Sequence, residues 1–239
     1  MKAFTSRNRR GFTLMETVIA IGVLAVLLTG FIIVFTPAAD GIRKTISTQQ
    51  ADRLTSALEQ ELVTLRGSTE TTEFKTGFNK AYTFIKESNV ATEALLVYQY
   101  RGDLEAERRS DGSLEPKPSI DGKLPGEDYL VVPMARRLSD DIFIEDLAAV
   151  EGPVYLVKPT QLIYDANQLV LGEPGQIKNP KDGSAAATAD AYTEAVIAFA
   201  AEFHPMPTNA AGYFTGPEFA KKFTKAKTPV FTRNLAVRR

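Results

Sequence analysis

Residues 17–35, from Thr17 to Phe35, contain no charged side chain, and Thr17 and Thr29 are the only polar ones among them. A helix needs about 20 mostly apolar residues to cross the hydrocarbon core of a bilayer, so this run is just long enough to span one. Nothing later in the 239-residue chain approaches a second span. Lys2, Arg7, Arg9 and Arg10 precede the run, and residues 1–11 contain no acid. Basic flanks stay on the cytoplasmic side, so the N-terminus is expected in the cytoplasm and the bulk of the chain outside it.

Composition removes several classes of function. The chain has 28 Lys plus Arg against 29 Asp plus Glu; without the leader, 24 basic residues face 29 acidic ones. No global basic excess points to nucleic acid. With no Cys there can be no disulfide, zinc-thiolate site or cysteine nucleophile. One histidine, His204, excludes a multi-His metal site. Apolar residues at 44% are too many for a disordered chain.

Three readings fit the first forty residues. A secretory signal peptide would need a small-residue cleavage site, and Thr36-Pro37-Ala38-Ala39 is a poor one. A twin-arginine signal would use Arg9-Arg10-Gly11-Phe12, but the apolar run is long and Glu16 sits at its start. The third reading joins a basic leader ending in Gly11, then Phe12-Thr13-Leu14-Met15-Glu16, then the apolar run. Over residues 7–36 this resembles the type IV prepilin and type II secretion pseudopilin family.

The resemblance implies that a prepilin peptidase cuts between Gly11 and Phe12 and that the new Phe12 amine is methylated. It implies partners too: other pilin or pseudopilin subunits, an inner-membrane assembly platform, and membrane lipid before assembly. No cofactor is implied. The rival from another class is a membrane-tethered periplasmic binding module that never polymerises. Physically, Glu16 inside an apolar segment costs about 2.5–3.5 kcal/mol at mid-membrane, less near the interface. Phe12 and Glu16 are four apart and share a helix face, so cleavage would supply a positive amine for the carboxylate.

Beyond the span, Ile42, Ile46, Leu54, Leu58, Leu62 and Leu65 form one helical stripe, with Gln50 in its gap. The other faces carry Glu59, Glu61 and Arg66 among other polar residues, and Gly67 supplies a stop. The expected organisation is a leader at 1–11, an N-terminal helix at 12–66 and a periplasmic globular domain at 67–239. Pro37 is expected to kink or break the helix. In the domain, residues 73–87 read as an amphipathic helix and 138–150 as another. Strands are expected at 94–100, 129–132, 154–157, 161–164, 169–171 and 229–237, with a turn at Asp165-Ala166-Asn167-Gln168, and 194–203 reads as strand or helix, with strand preferred. A long helix followed by strands predicts an α+β fold with an antiparallel sheet, and the family resemblance implies the same helix-on-sheet arrangement.

Signs of catalysis are weak. His204 has no Gly-x-Ser-x-Gly or other nucleophile signature to serve, and Walker and Rossmann phosphate motifs are absent. Asp140, Asp141, Glu145 and Asp146 form an acidic cluster that could feed oxygens to calcium, yet acids also suit a helix start. Arg101-Gly102-Asp103 spells an adhesion tripeptide in a charged stretch. The ending Arg238-Arg239, with Arg233, is basic, but three charges on a strand end are weak evidence for an acidic neighbour or for DNA, and nucleic acid is not expected as a partner.

Overall fold

The computed structural model describes residues 13–165, 168–226 and 228–239. It divides into two compact units, Met1–Ile46 and Ser47–Arg239. Helix α1 (Leu14–Val63) contributes to both.

In the first unit, α1 exposes its apolar side chains on every side, from Leu14 through Phe31 to Phe35. Leu14–Ile33 is long and apolar enough to cross a membrane, and none of it is buried. Helical assignment continues through Pro37, where a break was expected. A proline removes one i→i−4 bond, and the long helical stretches on either side hold the turn in spite of that loss.

The second unit is built on an antiparallel sheet in the order β2-β1-β3-β5-β6, with β4 pairing β3 outside that path. Its strands are β1 (Leu95–Asp103), β2 (Tyr129–Arg137), β3 (Tyr155–Asp165), β4 (Gln168–Leu171), β5 (Val196–Pro205) and β6 (Phe231–Arg238). The expected α+β class, a long N-terminal helix with an antiparallel sheet, is therefore what the chain adopts. Expected strands at 154–157 and 161–164 are one strand, β3. Pro159 does not split it, because it sits where β1 has left β3, after Val157, and before β4 joins at Leu162. A proline is tolerated where one side of the strand has no ladder to feed. Ala166 and Asn167 of the expected turn lie outside the described residues; the register around them closes Asp165 onto Gln168.

Both faces of the sheet are covered. Leu54, Leu58 and Leu62 of α1 share one core with Phe78, Tyr82 and Ile85 of α3 (Gly77–Lys86) and with Val97, Val157, Phe199 and Leu235 of the sheet. This is the buried half of the predicted stripe; Ile42, in the first unit, is exposed. The opposite face packs Leu96, Tyr98 and Leu156 against Phe143 of α4 (Asp141–Asp146), Phe214 of α5 (Ala211–Thr215) and Phe219 and Phe223 of α6 (Pro217–Lys225). Burial on two faces explains why Ala94–Tyr98 is an unbroken apolar run rather than an alternating one.

The end of α1 departs from expectation. It stops at Val63, and Gly67, with φ +58°, opens a short helix α2 (Gly67–Glu73) instead of ending α1. Glu61, expected on a polar face, is buried. Its carboxylate meets Lys80 Nζ at 2.6 Å and Arg66 Nε at 2.5 Å. Lys80, fully buried on α3, also donates to Glu70 Oε2 at 2.9 Å and to the Thr64 carbonyl at 3.0 Å. Burying an ammonium group costs far less when it is paired and hydrogen-bonded, and this one ties the ends of α1, α2 and α3 together.

Candidate functional site

Gly11 and Phe12 lie outside the described residues. The motif becomes visible at Thr13. Thr13 precedes the first helical residue, and its hydroxyl accepts the Glu16 N–H at 3.2 Å. In return, Glu16 Oε2 accepts the Thr13 N–H at 2.9 Å and the Thr13 hydroxyl at 3.0 Å. This reciprocal pair is a capping box, in which Thr at the N-cap and Glu at the third helical position satisfy each other's donors. The pattern Thr-x-x-Glu stands in the sequence, and it gives Glu16 a hydrogen-bonding role besides that of a charge that pairs with an amine or snorkels at the interface. Before any cleavage, Glu16 already has work at the start of α1.

The acidic cluster at 140–146 is held by arginines. Asp146 has no solvent exposure and accepts hydrogen bonds from Tyr98 Oη at 2.6 Å, Arg109 Nη1 at 2.6 Å and Arg136 Nε at 3.3 Å. Glu145 meets Arg109 Nη2 at 2.9 Å. Asp140 caps α4 by accepting the Ile142 N–H, and it pairs with Arg136 Nη1 at 2.8 Å. Arg136 also reaches Asp111 at 2.6 Å. Burial pushes the Asp111 carboxyl up, but hydrogen bonds from Ser113 and Arg136 win and hold it at about 2. Among the described residues, no group of three or more His, Asp or Glu side chains is arranged to hold a metal ion. Arg109 comes from the 104–128 excursion, far along the chain, whereas Arg136, at the end of β2, stands only four residues before Asp140.

Other residues singled out in the sequence also have structural positions. Arg101-Gly102-Asp103 closes β1, and Asp103 pairs with Lys117 Nζ at 2.9 Å. A Cβ on Gly102 would lie 2.6 Å from the Leu114 side chain, so the glycine lets the excursion pack down on β1. At the C-terminus, Arg239 donates to the Ala189 and Tyr192 carbonyls and lies over the Phe78 ring, while Arg238 is exposed.

His204 lies on β5, 2% exposed, and its Nε2 has no hydrogen-bond partner among the described residues. Burial first, then the Lys158 and Lys222 charges, lower its pKa to about 4, against an opposing hydrogen bond with the Thr228 backbone. The unfolded chain takes up this proton near pH 6.5, whereas the folded chain resists it until about 4. His204 therefore contributes fully above pH 6.5, and its contribution is lost as the pH falls from 6.5 towards 4. The loss is on the order of 3 kcal/mol at most, by 1.36 kcal/mol per pKa unit. His204→Asn is expected to flatten stability across that window, measured by guanidinium unfolding of the detergent-solubilised protein followed by tyrosine fluorescence. An unchanged pH slope would assign the acid sensitivity to other groups.

Comparison with known families places the N-terminus. Residues 6–32 match the prokaryotic N-terminal methylation motif, which is the type IV prepilin-type motif. A search of curated proteins finds no significant match, and a search of solved structures finds none either. The motif supports a pilin- or pseudopilin-type protein. The apolar helix behind the motif fits a single-pass membrane anchor.

Proposed function

We propose that this chain is a subunit of a type II secretion pseudopilus or type IV pilus-like filament, as a pseudopilin or minor pilin. A prepilin peptidase cuts after Gly11, the Phe12 amine is methylated, and the hydrophobic helix leaves the membrane to pack among the helices of other subunits. Before assembly the chain sits in the bacterial inner membrane, N-terminus cytoplasmic, with the domain at 67–239 in the periplasm. The observation that carries this reading is continuity. The processing motif runs without interruption into α1, which bares apolar side chains on all faces in the first unit and supplies core side chains in the second. A helix that is apolar all round requires lipid or other helices about it. A discarded signal would have no reason to continue into a structural helix. The length of the chain and its lack of Cys favour a pseudopilin or minor pilin over a major one by family analogy. Asp140, Glu145 and Asp146 serve arginines in this reading, not calcium, and Asp141 is an exposed acid in the first turn of α4.

The test is the N-terminal mass of the protein from its native membrane, with and without the prepilin peptidase. The expected product begins at methylated Phe12 and appears only with the peptidase. An intact Met1 would make the chain a tethered periplasmic module instead. A start near Asp40 would make it a conventionally secreted protein.

A further inference from the structure

The two edges of the sheet are unlike. On β2, the Tyr129 carbonyl accepts the Gly126 N–H, and Pro125 bridges to Tyr129, so the 104–128 excursion folds along that edge. Tyr129 faces outward, and alternation then turns Pro133, opposite Gln99, the same way; it has no N–H to offer. A proline and a covering loop are standard protections of an edge.

At the other end of the sheet, β6 contains no proline, and among the described residues no loop pairs along it. It runs eight residues in unbroken one-to-one register with β5, from Val196 opposite Arg238 to Phe203 opposite Phe231. The Arg239 N–H donates to the Ala195 carbonyl, which fixes the phase of the ladder. Odd-numbered residues bond β5, and Thr232, Asn234, Ala236 and Arg238 turn their N–H and C=O outward. Those four are also exposed, and among the described residues no strand pairs with them.

A groove adjoins this edge. About 430 Å³ in volume, it lies between Leu62, Val63 and Glu59 of α1 and Phe199, Leu235 and Val237 of the sheet. It opens on the face where Leu235 and Val237 point, and Val63 leaves 57% of its surface bare there. A strand laid beside β6 would send alternate side chains towards this groove and the others towards the face that carries Arg238.

We propose that β6 and this groove form a strand-addition site for an extended acidic segment of a partner protein. The segment would alternate apolar side chains, which enter the groove, with carboxylates on the Arg238 face. Main-chain hydrogen bonds supply affinity in this mode, and the side-chain pockets supply selectivity. Charge decides the occupant. Arg238 is exposed on the face opposite the groove, and the Arg239 guanidinium after it bonds backbone carbonyls, so an acidic strand gains at this edge while a second copy of β6 brings no carboxylate to it. The proposal does not rest on the filament reading, because an intact Met1 would leave the edge unchanged.

The test titrates the full-length protein in detergent with the synthetic peptide acetyl-Glu-Val-Glu-Leu-Glu-Val-Glu-amide, followed by calorimetry. Saturable binding is expected, with the Lys-for-Glu peptide about tenfold weaker or worse. Ala236→Pro removes an outward N–H without touching the β5 ladder and should abolish binding while leaving the melting curve in place. Should that variant melt early, Ala236→Glu keeps the backbone and is expected to weaken the acidic peptide by about tenfold. Absence of binding by the acidic peptide, or equal binding by the proline and glutamate variants, would overturn the site. Efficient disulfide-linked homodimers of Ala236→Cys protein in native membranes would overturn the occupant in favour of a second copy; the chain has no other Cys to confuse the result.

Discussion

Glu16→Ala is expected to leave cleavage after Gly11 intact and to remove the subunit from sheared surface filaments. Two effects of the substitution have to be separated. The capping box shows that Glu16 satisfies the Thr13 N–H at the start of α1, and losing a cap costs about 1 kcal/mol of helix stability. The proposed pairing with the Phe12 amine is the larger effect. An unpaired carboxylate costs about 2.5–3.5 kcal/mol at mid-membrane and less at the start of the span where Glu16 stands, so the pairing is worth at most roughly a hundredfold in an equilibrium. Glu16→Gln distinguishes the two, because its amide oxygen still accepts the Thr13 N–H while its charge is gone. If pairing drives assembly, Glu16→Gln fails like Glu16→Ala, while Thr13→Ala, which weakens only the cap, still assembles. Normal filament yield from Glu16→Gln would show that capping is the whole role of this residue.

What the sequence revealed and what it hid follow from the range of the interactions. The motif from Gly11 to Glu16, the apolar span and the stripe at Leu54, Leu58 and Leu62 are local or periodic, so they were legible. Strand β6 was legible from its β-branched and aromatic residues, whereas β5 was legible only as strand or helix, because alanines are interspersed among such residues. Helices α5 and α6 were missed: α5 has five residues, and only Phe219 and Phe223, four apart behind Pro217, mark α6. Val63 ended α1 early because Lys80 and Glu70, far along the chain, gather the groups that follow it. The acidic cluster was the plainest case. Four acids in seven residues are visible in the sequence, but their partners Arg109, Arg136 and Tyr98 lie in an excursion and two strands that only the fold brings together. The capping box was legible and was overlooked, because the membrane setting drew attention to the charge of Glu16 and away from its hydrogen bonds.

That cluster yields the largest stability effect expected in the domain. Asp146→Ala leaves the Arg109 and Arg136 guanidinium groups and the Tyr98 hydroxyl facing a fully buried void. Breaking a buried ion pair from one side costs about 3–5 kcal/mol. Here the lower end is expected, because Arg136 keeps Asp111 and Asp140, and Arg109 keeps Glu115 and Glu145. A loss of about 3 kcal/mol lowers the melting temperature by roughly 6–12 °C for a domain of this size. The near-ultraviolet tyrosine signal should weaken as well, since Tyr98 loses its acceptor. Asp146→Asn, which still accepts from Tyr98, should cost less. The same melting experiment repeated with EDTA decides what neutralises these acids. If the arginines do so, the chelator leaves the parent midpoint where it was. If EDTA lowers it by as much as Asp146→Ala does, a bound cation and not the arginine pairs holds the excursion to the sheet.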